Sequence, residues 1–263
     1  MPGPADAEPF LTVRGVAKTF GAERVLDGLD LDLARCRTLA ILGRSGCGKT
    51  TLLKILAGLC APDAGSVCLG GRVLDGLPPQ ARGVVYIYQE PLLFPHLDVF
   101  ENVAFGLRLR HARAPDVRER VGEMLTALEL EAHGRKRPTQ LSGGQRQRVA
   151  FGRALIVNPT LLLLDEPFGN LDVEIRAQMQ GLFQRVTQRF AITSLFVTHD
   201  LKEALLVGDR LALLRAGRLT AYASRAEFVA DAGTGAARER EFWLSLSADG
   251  GAHSASGLHS RAD

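Results

Sequence analysis

The chain has 263 residues, room for one large domain or one domain carrying an inserted subdomain. Hydrophobic residues make up 46% and charged residues 23%, the balance of an ordinary soluble globular protein. A net charge of +3 with no block of like charge gives no footprint for nucleic acid.

The start, MPGPADAEPF, lacks the basic-then-apolar pattern of a signal peptide, and no apolar run approaches the ~20 residues of a membrane span, so a membrane role must come through a partner. FLTVRGVAKTF and RVLDGLDLDL alternate apolar and polar residues and predict half-buried strands. RTLAILG (37–43) predicts a buried strand. A Gly-rich loop follows, then a helix with Leu52, Leu53, Ile55, Leu56 and Leu59 along one face. PDAG (62–65) predicts a turn, with a strand around 67–69, and VVYIYQ (84–89) another strand. Val117, Val121, Met124, Leu125 and Leu128 then fall at helical spacing, so about 90–157 reads as a helical insertion.

Strand character returns with TLLLLDEP, where Pro159 and Pro167 leave no room for a helix, and again with TSLFVTHD. RLALLRAGRLTAYA predicts a hairpin turning at Ala216–Gly217. From about 231 to 263 the Gly, Ala and Ser content predicts a loose tail, with one short helix at 238–246. Cys36, Cys47, Cys60 and Cys68 form no CxxC pair, which argues against zinc and a disulfide framework and suits a reducing cytosol.

GRSGCGKT (43–50), placed between a predicted strand and a predicted helix, fits a phosphate-binding loop. Its glycines let consecutive backbone N–H groups surround a β-phosphate, Lys49 reaches the β- and γ-oxygens, and the Thr50 hydroxyl suits Mg²⁺. Asp165 ends an apolar strand and is placed to hold Mg²⁺ through water, while Glu166 can orient an attacking water. Alone, that acid pair also reads as an ordinary strand end. Cys47 lies beside Lys49 and a helix start, where a thiolate is favoured, with a buried, inert thiol as the plain alternative. LSGGQRQRV (141–149) puts small residues at a helix start, leaving N–H groups for an anion.

In order, the chain carries the phosphate loop, Gln89, LSGGQ at Leu141–Gln145, Asp165–Glu166, NLD at Asn170–Asp172, and His199. This set closely resembles the nucleotide-binding subunit of an ABC transporter, over about residues 10–230. The resemblance implies an α/β fold: a P-loop NTPase core of RecA-like type with a mainly parallel sheet, an N-terminal antiparallel β-subdomain and an inserted α-helical subdomain at about 90–157. ATP and Mg²⁺ are the implied cofactors. Gly43, Arg44, Ser45, Gly46, Cys47, Gly48, Lys49, Thr50 and Thr51 would surround the phosphates. Thr50, Gln89 and Asp165 would face the metal, Glu166 the water and His199 the γ-phosphate. Phe20 would stack on adenine, with a core phenylalanine as the plain alternative. Ser142, Gly143, Gly144 and Gln145 would close over the ATP of a second subunit in a head-to-tail dimer, and Asp172 would communicate between subunits. Cys36 stands where glycine is usual, Tyr88 where phenylalanine is frequent and Asn170 where serine or alanine is common.

QEPLLFPHLDVFENVAFGL (89–107) resembles the segment found in ATPases of bacterial importers for sulfate, molybdate, iron, thiamine, polyamines or sugars. This implies permease subunits, a periplasmic solute-binding protein and a place on the cytoplasmic face of the inner membrane. The segment Leu92–Leu97 is expected to dock the permease, or else to form a packed internal turn. The stretch after the hairpin is too short for a regulatory β-domain, so substrate feedback is not expected. An exporter ATPase is the alternative, and a soluble ABC ATPase a more distant one.

Overall fold

The computed structural model describes residues 9–239. Strand β1 (Leu11–Phe20) pairs antiparallel with β2 (Glu23–Leu33), and their alternation buries Leu11, Val13, Val16, Leu26, Leu29, Leu31 and Leu33 on one face. Strand β3 (Thr38–Leu42) leads through the Gly-rich loop into α1 (Lys49–Ala57). Then come β4 (Ala64–Leu69), which pairs with the other edge of β1, β5 (Arg72–Val73) and β6 (Val84–Ile87). Helices α2 (Val99–Leu109), α3 (Ala114–Ala127) and α4 (Gly143–Leu155) follow before β7 (Leu161–Asp165). The remainder is α5 (Val173–Arg189), β8 (Ser194–Thr198), α6 (Leu201–Val207), β9 (Arg210–Arg215), β10 (Arg218–Tyr222) and α7 (Arg225–Ala230).

The strands form two sheets, an antiparallel one ordered β2-β1-β4-β5 and a six-stranded one ordered β10-β9-β3-β8-β7-β6. The fold is α/β. Within the second sheet β9, β3, β8, β7 and β6 run parallel, and only β10 is antiparallel. Strands β3 and β8 are buried at every residue, and β7 at all but Asp165, because both faces are covered. One face meets α1 and the antiparallel sheet through Leu39, Ile41, Leu52 and Leu56. The other meets α2 to α6, where Phe168 and Phe196 lie 5.6 Å apart and Phe151 and Phe183 join them. No helix among the described residues is long and apolar enough to cross a membrane.

The expected hairpin turns where predicted. Ala216 (φ 49°) and Gly217 (φ 75°) are both left-handed, as a two-residue primed turn requires. Gly217 also accepts a hydrogen bond from Asp27 N (2.9 Å), tying the two sheets together.

Three local expectations change. Gly58 (φ 79°) caps α1 at Ala57, so Leu59 falls off the helix and is 50% exposed. β6 stops at Ile87, leaving Tyr88 and Gln89 on the exposed loop beyond it. Ala64 and Gly65 belong to β4 rather than to the turn. Of the expected tail, a 3-10 turn spans Ala232–Thr234; the helix expected at 238–246 lies almost wholly outside the described residues.

Candidate nucleotide site

The loop from Gly43 to Gly48 needs glycine for two different reasons. Gly46 (φ 81°) and Gly48 (φ 105°) are left-handed, while a Cβ on Gly43 would lie 2.6 Å from Cys47 Sγ and 2.8 Å from the Leu214 carbonyl. Arg44, Ser45 and Gly46 are exposed, as is Thr50, and Thr51 is half-buried beside it. α1 begins with no side-chain cap and no acid in its first turn, so its N–H groups face the loop unneutralised. Lys49 is 5% exposed and donates to the carbonyls of Gly43 (2.7 Å) and Arg44 (3.1 Å).

Half-buried Cys47 departs from expectation. Burial pushes its thiol up from the ordinary value, outweighing the charge of Lys49 and the backbone N–H groups that pull it down. That direction favours the inert thiol over the thiolate.

The acidic partners come from the neighbouring strands. Asp165 closes β7, and Tyr86 on β6 donates its hydroxyl to Asp165 Oδ2 at 2.6 Å. Burial and the carboxylate push the Tyr86 phenol far above its ordinary range, so it acts as a donor. Glu166 takes the left-handed conformation (φ 46°) with its N–H on the Val197 carbonyl at 3.0 Å. Its Oε1 lies 3.3 Å from Lys49 Nζ and its Oε2 2.8 Å from His199 Nδ1. Gln89 sits close by: a Cβ on Gly169, three residues past Glu166, would lie 3.4 Å from its amide nitrogen. The order β3-β8-β7-β6 explains this convergence, since adjacent parallel strands deliver their C-terminal ends to one edge of the sheet. Hydroxyl, carboxamide and carboxylate oxygens are the hard donors that Mg²⁺ takes. Among the described residues, no group of three or more His, Cys, Asp and Glu forms an all-protein metal cage, so a cation here would share its shell with phosphate and water.

The LSGGQ stretch is a helix start of a particular kind. Ser142 Oγ accepts from Gln145 N (3.2 Å) while Gln145 Oε1 accepts from Ser142 N (3.0 Å), a reciprocal capping box on α4. The box occupies the N–H groups of Ser142 and Gln145, so of the donors expected for an anion those of Gly143 and Gly144 remain. The amide nitrogen of Gln145 lies 2.9 Å from His133 Nε2, a neighbour that no sequence signal indicated. Gly144 is buried, and a Cβ there would lie 2.6 Å from Ile175 Cγ2 on α5. Asp172 caps α5 by accepting from Ile175 N at 3.0 Å. Among the described residues, no hydrogen bond or ion pair joins residues 142–145 to the phosphate loop.

Phe20 ends β1 with its ring 52% exposed and Lys18 Nζ 5.3 Å from its centre, which removes the core reading. Two further groups escaped the sequence. One is Tyr86. The other is Glu203 on α6, 3% exposed, which accepts from Thr198 Oγ1 at 2.6 Å and faces Arg176 on α5. Burial pushes the Glu203 carboxyl up, and the Thr198 hydrogen bond and then Arg176 pull it back only in part. Tyr86 reaches Asp165 across 79 residues, which no spacing could foretell; Glu203 lies only five residues after Thr198, and what the sequence does not show is its burial.

Residues 26–169 match the model of a family described as ABC transporter. The chain is 44% identical over 223 residues to the spermidine/putrescine import ATP-binding protein of Nitratidesulfovibrio vulgaris, covering 85% of this chain and 61% of that one. It is 46% identical over 221 residues to the sulfate/thiosulfate import ATP-binding protein of Bordetella bronchiseptica, covering 82% and 62%. To the sn-glycerol-3-phosphate import ATP-binding protein of Rhizobium johnstonii it is 43% identical over 209 residues, covering 80% and 57%. The chain thus spans about three fifths of the length of these relatives.

Proposed function

The chain belongs to the ABC transporter family, and on that premise we propose that it binds and hydrolyses ATP to drive solute import through a membrane permease. The observation that carries this reading is the meeting of Lys49, at the start of α1, with Glu166 and His199, which follow the ends of β7 and β8, beside the glycine loop. In this reading the loop N–H groups and Lys49 hold the phosphates, and the triphosphate draws Lys49 away from the carbonyls of Gly43 and Arg44. Glu166 then accepts the proton of the attacking water, with its carboxylate aimed by His199, which also reaches the γ-phosphate. Mg²⁺, when bound, neutralises charge on the β- and γ-oxygens, and Thr50, Gln89 and Asp165 are the residues that would hold it. Phe20 offers its exposed ring to the adenine.

Residues 10–230 form the ATPase unit in this reading, with 90–157 as the inserted helical subdomain. Ser142 to Gln145 serve the site of a second ATPase subunit, with Asp172 beside them. The permease docks near Leu92–Leu97, anchoring the chain to the cytoplasmic face of the inner membrane, and a periplasmic solute-binding protein delivers the cargo. The relatives are named for polyamine, sulfate and glycerol phosphate import alike, so cargo choice lies in the other subunits.

Glu166→Gln keeps the shape and removes the basicity. Turnover should fall by roughly 10²–10⁴-fold while ATP still binds, the scale of a lost general base. Lys49→Ala should weaken nucleotide binding itself. A Glu166→Gln chain that turns over ATP at the original rate would overturn the assignment.

A further inference from the structure

We infer that Tyr86 is a positioning residue that sets the direction of the Asp165 carboxylate; the inference rests on reading Asp165 as the metal-facing acid. A carboxylate at a strand end turns easily about its last torsion, whose preference is broad. Nothing in the backbone of β7 chooses which oxygen faces outward. Tyr86 chooses. Its hydroxyl takes Oδ2 at 2.6 Å, within the range of a charge-assisted O–H···O⁻ bond, and leaves Oδ1 for a ligand.

The strand register makes this contact. Tyr86 is paired with Leu163 across the parallel ladder, and Asp165 lies two residues further on, on the same face. A diagonal neighbour at that offset is within reach of a long aromatic side chain. The ring itself is braced. Tyr88, two residues along, meets it edge-on, with ring centres 4.5 Å apart and planes at 86°. The phenol is therefore held at one end by Tyr88, next to Gln89, and at the other by Asp165. Of the three residues assigned to the metal, the phenol touches Asp165 directly. Tyr86→Phe removes the hydroxyl and keeps the ring contact, which separates aim from packing.

The test measures binding of a non-hydrolysable ATP analogue to the full chain, with EDTA and then with Mn²⁺, together with the electron paramagnetic resonance signal of free Mn²⁺. The gain in affinity on adding metal reports the metal contact alone. In Tyr86→Phe that gain should shrink about 10-fold, the lower end for loss of a group that orients a metal ligand. Metal-free affinity should stay as it was, with the chain folded at the assay temperature despite the melting temperature lost with one hydrogen bond. Asp165→Asn is the companion variant. If it abolishes the gain while Tyr86→Phe leaves it intact, Tyr86 does not position the acid although Asp165 keeps its role. If Asp165→Asn leaves the gain intact, the reading of Asp165 fails and this inference falls with it. Equal weakening of binding with and without metal in Tyr86→Phe would mark the phenol as structural and overturn the proposal.

Discussion

At Glu166 the backbone is left-handed without being glycine, a conformation that costs about 1–2 kcal/mol for an L-residue. The hydrogen bonds Glu166 N to Val197 O and Gly169 N to Glu166 O hold it there, and the carboxylate then lies between Lys49 and His199. Cys36, His111, Glu129, Asn158, Ala191 and Ala216 are left-handed too, but Glu166 is the one that meets both Lys49 and His199, in keeping with the water-orienting role proposed for it. Cys47 shows the opposite lesson. Its neighbours are cationic, yet desolvation wins and the thiol stays protonated near neutral pH. Alkylation of Cys47 at pH 7.5 should therefore be slower than that of exposed Cys36, and should speed up as pH climbs past about 8.5, the ordinary thiol value. MgATP should slow it further by covering the loop. Peptide mass spectrometry reads both rates, and faster labelling at Cys47 than at Cys36 would restore the thiolate.

Among the elements, the turn before α2 divides two roles that one stretch of sequence had merged. Buried Asn102 accepts from Phe94 N (2.9 Å), and its amide nitrogen reaches the carbonyls of Phe94 (3.1 Å), Leu97 (3.0 Å) and Asp98 (2.9 Å). The Phe94 ring lies 4.5 Å from Phe105 on α2 and 5.0 Å from the Arg153 guanidinium on α4. Phe94 is thus framework, whereas Leu92 is 58% exposed. Phe94→Ala should lower stability by about 2 kcal/mol, below the cost of a fully buried ring. Leu92→Ser should stay within about 0.5 kcal/mol and yet weaken assembly with the permease. Urea unfolding and co-purification separate the two effects. If Leu92→Ser assembles normally, the docking surface lies elsewhere.

Over the whole molecule, the chain carries a phosphate loop and a signature helix start that share no hydrogen bond among the described residues. Exposed Ser142 and the glycine N–H groups beside it have donors to offer and, in the proposed reading, a partner's nucleotide to receive. ATP should therefore join two Glu166→Gln chains, and ADP, lacking the γ-phosphate, should release them. Ser142→Arg, which puts bulk where the phosphate would sit, should leave the chain monomeric. Light scattering on the three states checks this, and a monomer at saturating ATP in the presence of the permease would count against the composite site.

Sequence by itself determined the features whose physics is local. Gly46 and Gly48 had to be glycines because of their own φ angles, β7 had to be a strand between two prolines, and Ala216–Gly217 had to turn. The capping box is equally local, Ser142 and Gln145 being three residues apart, yet the expectation for this helix start is N–H groups left for an anion. Only the tertiary structure decided what depends on distant neighbours. Glu166 meets His199 across 33 residues, and Tyr86 meets Asp165 across 79, through strand register that no spacing records. The exposure of Phe20, the neutral thiol of Cys47 and the anchoring of Phe94 were likewise undecided by their own segments. Desolvation and packing are set by whichever atoms close around a side chain, and those atoms come from elements that the chain reaches only after folding.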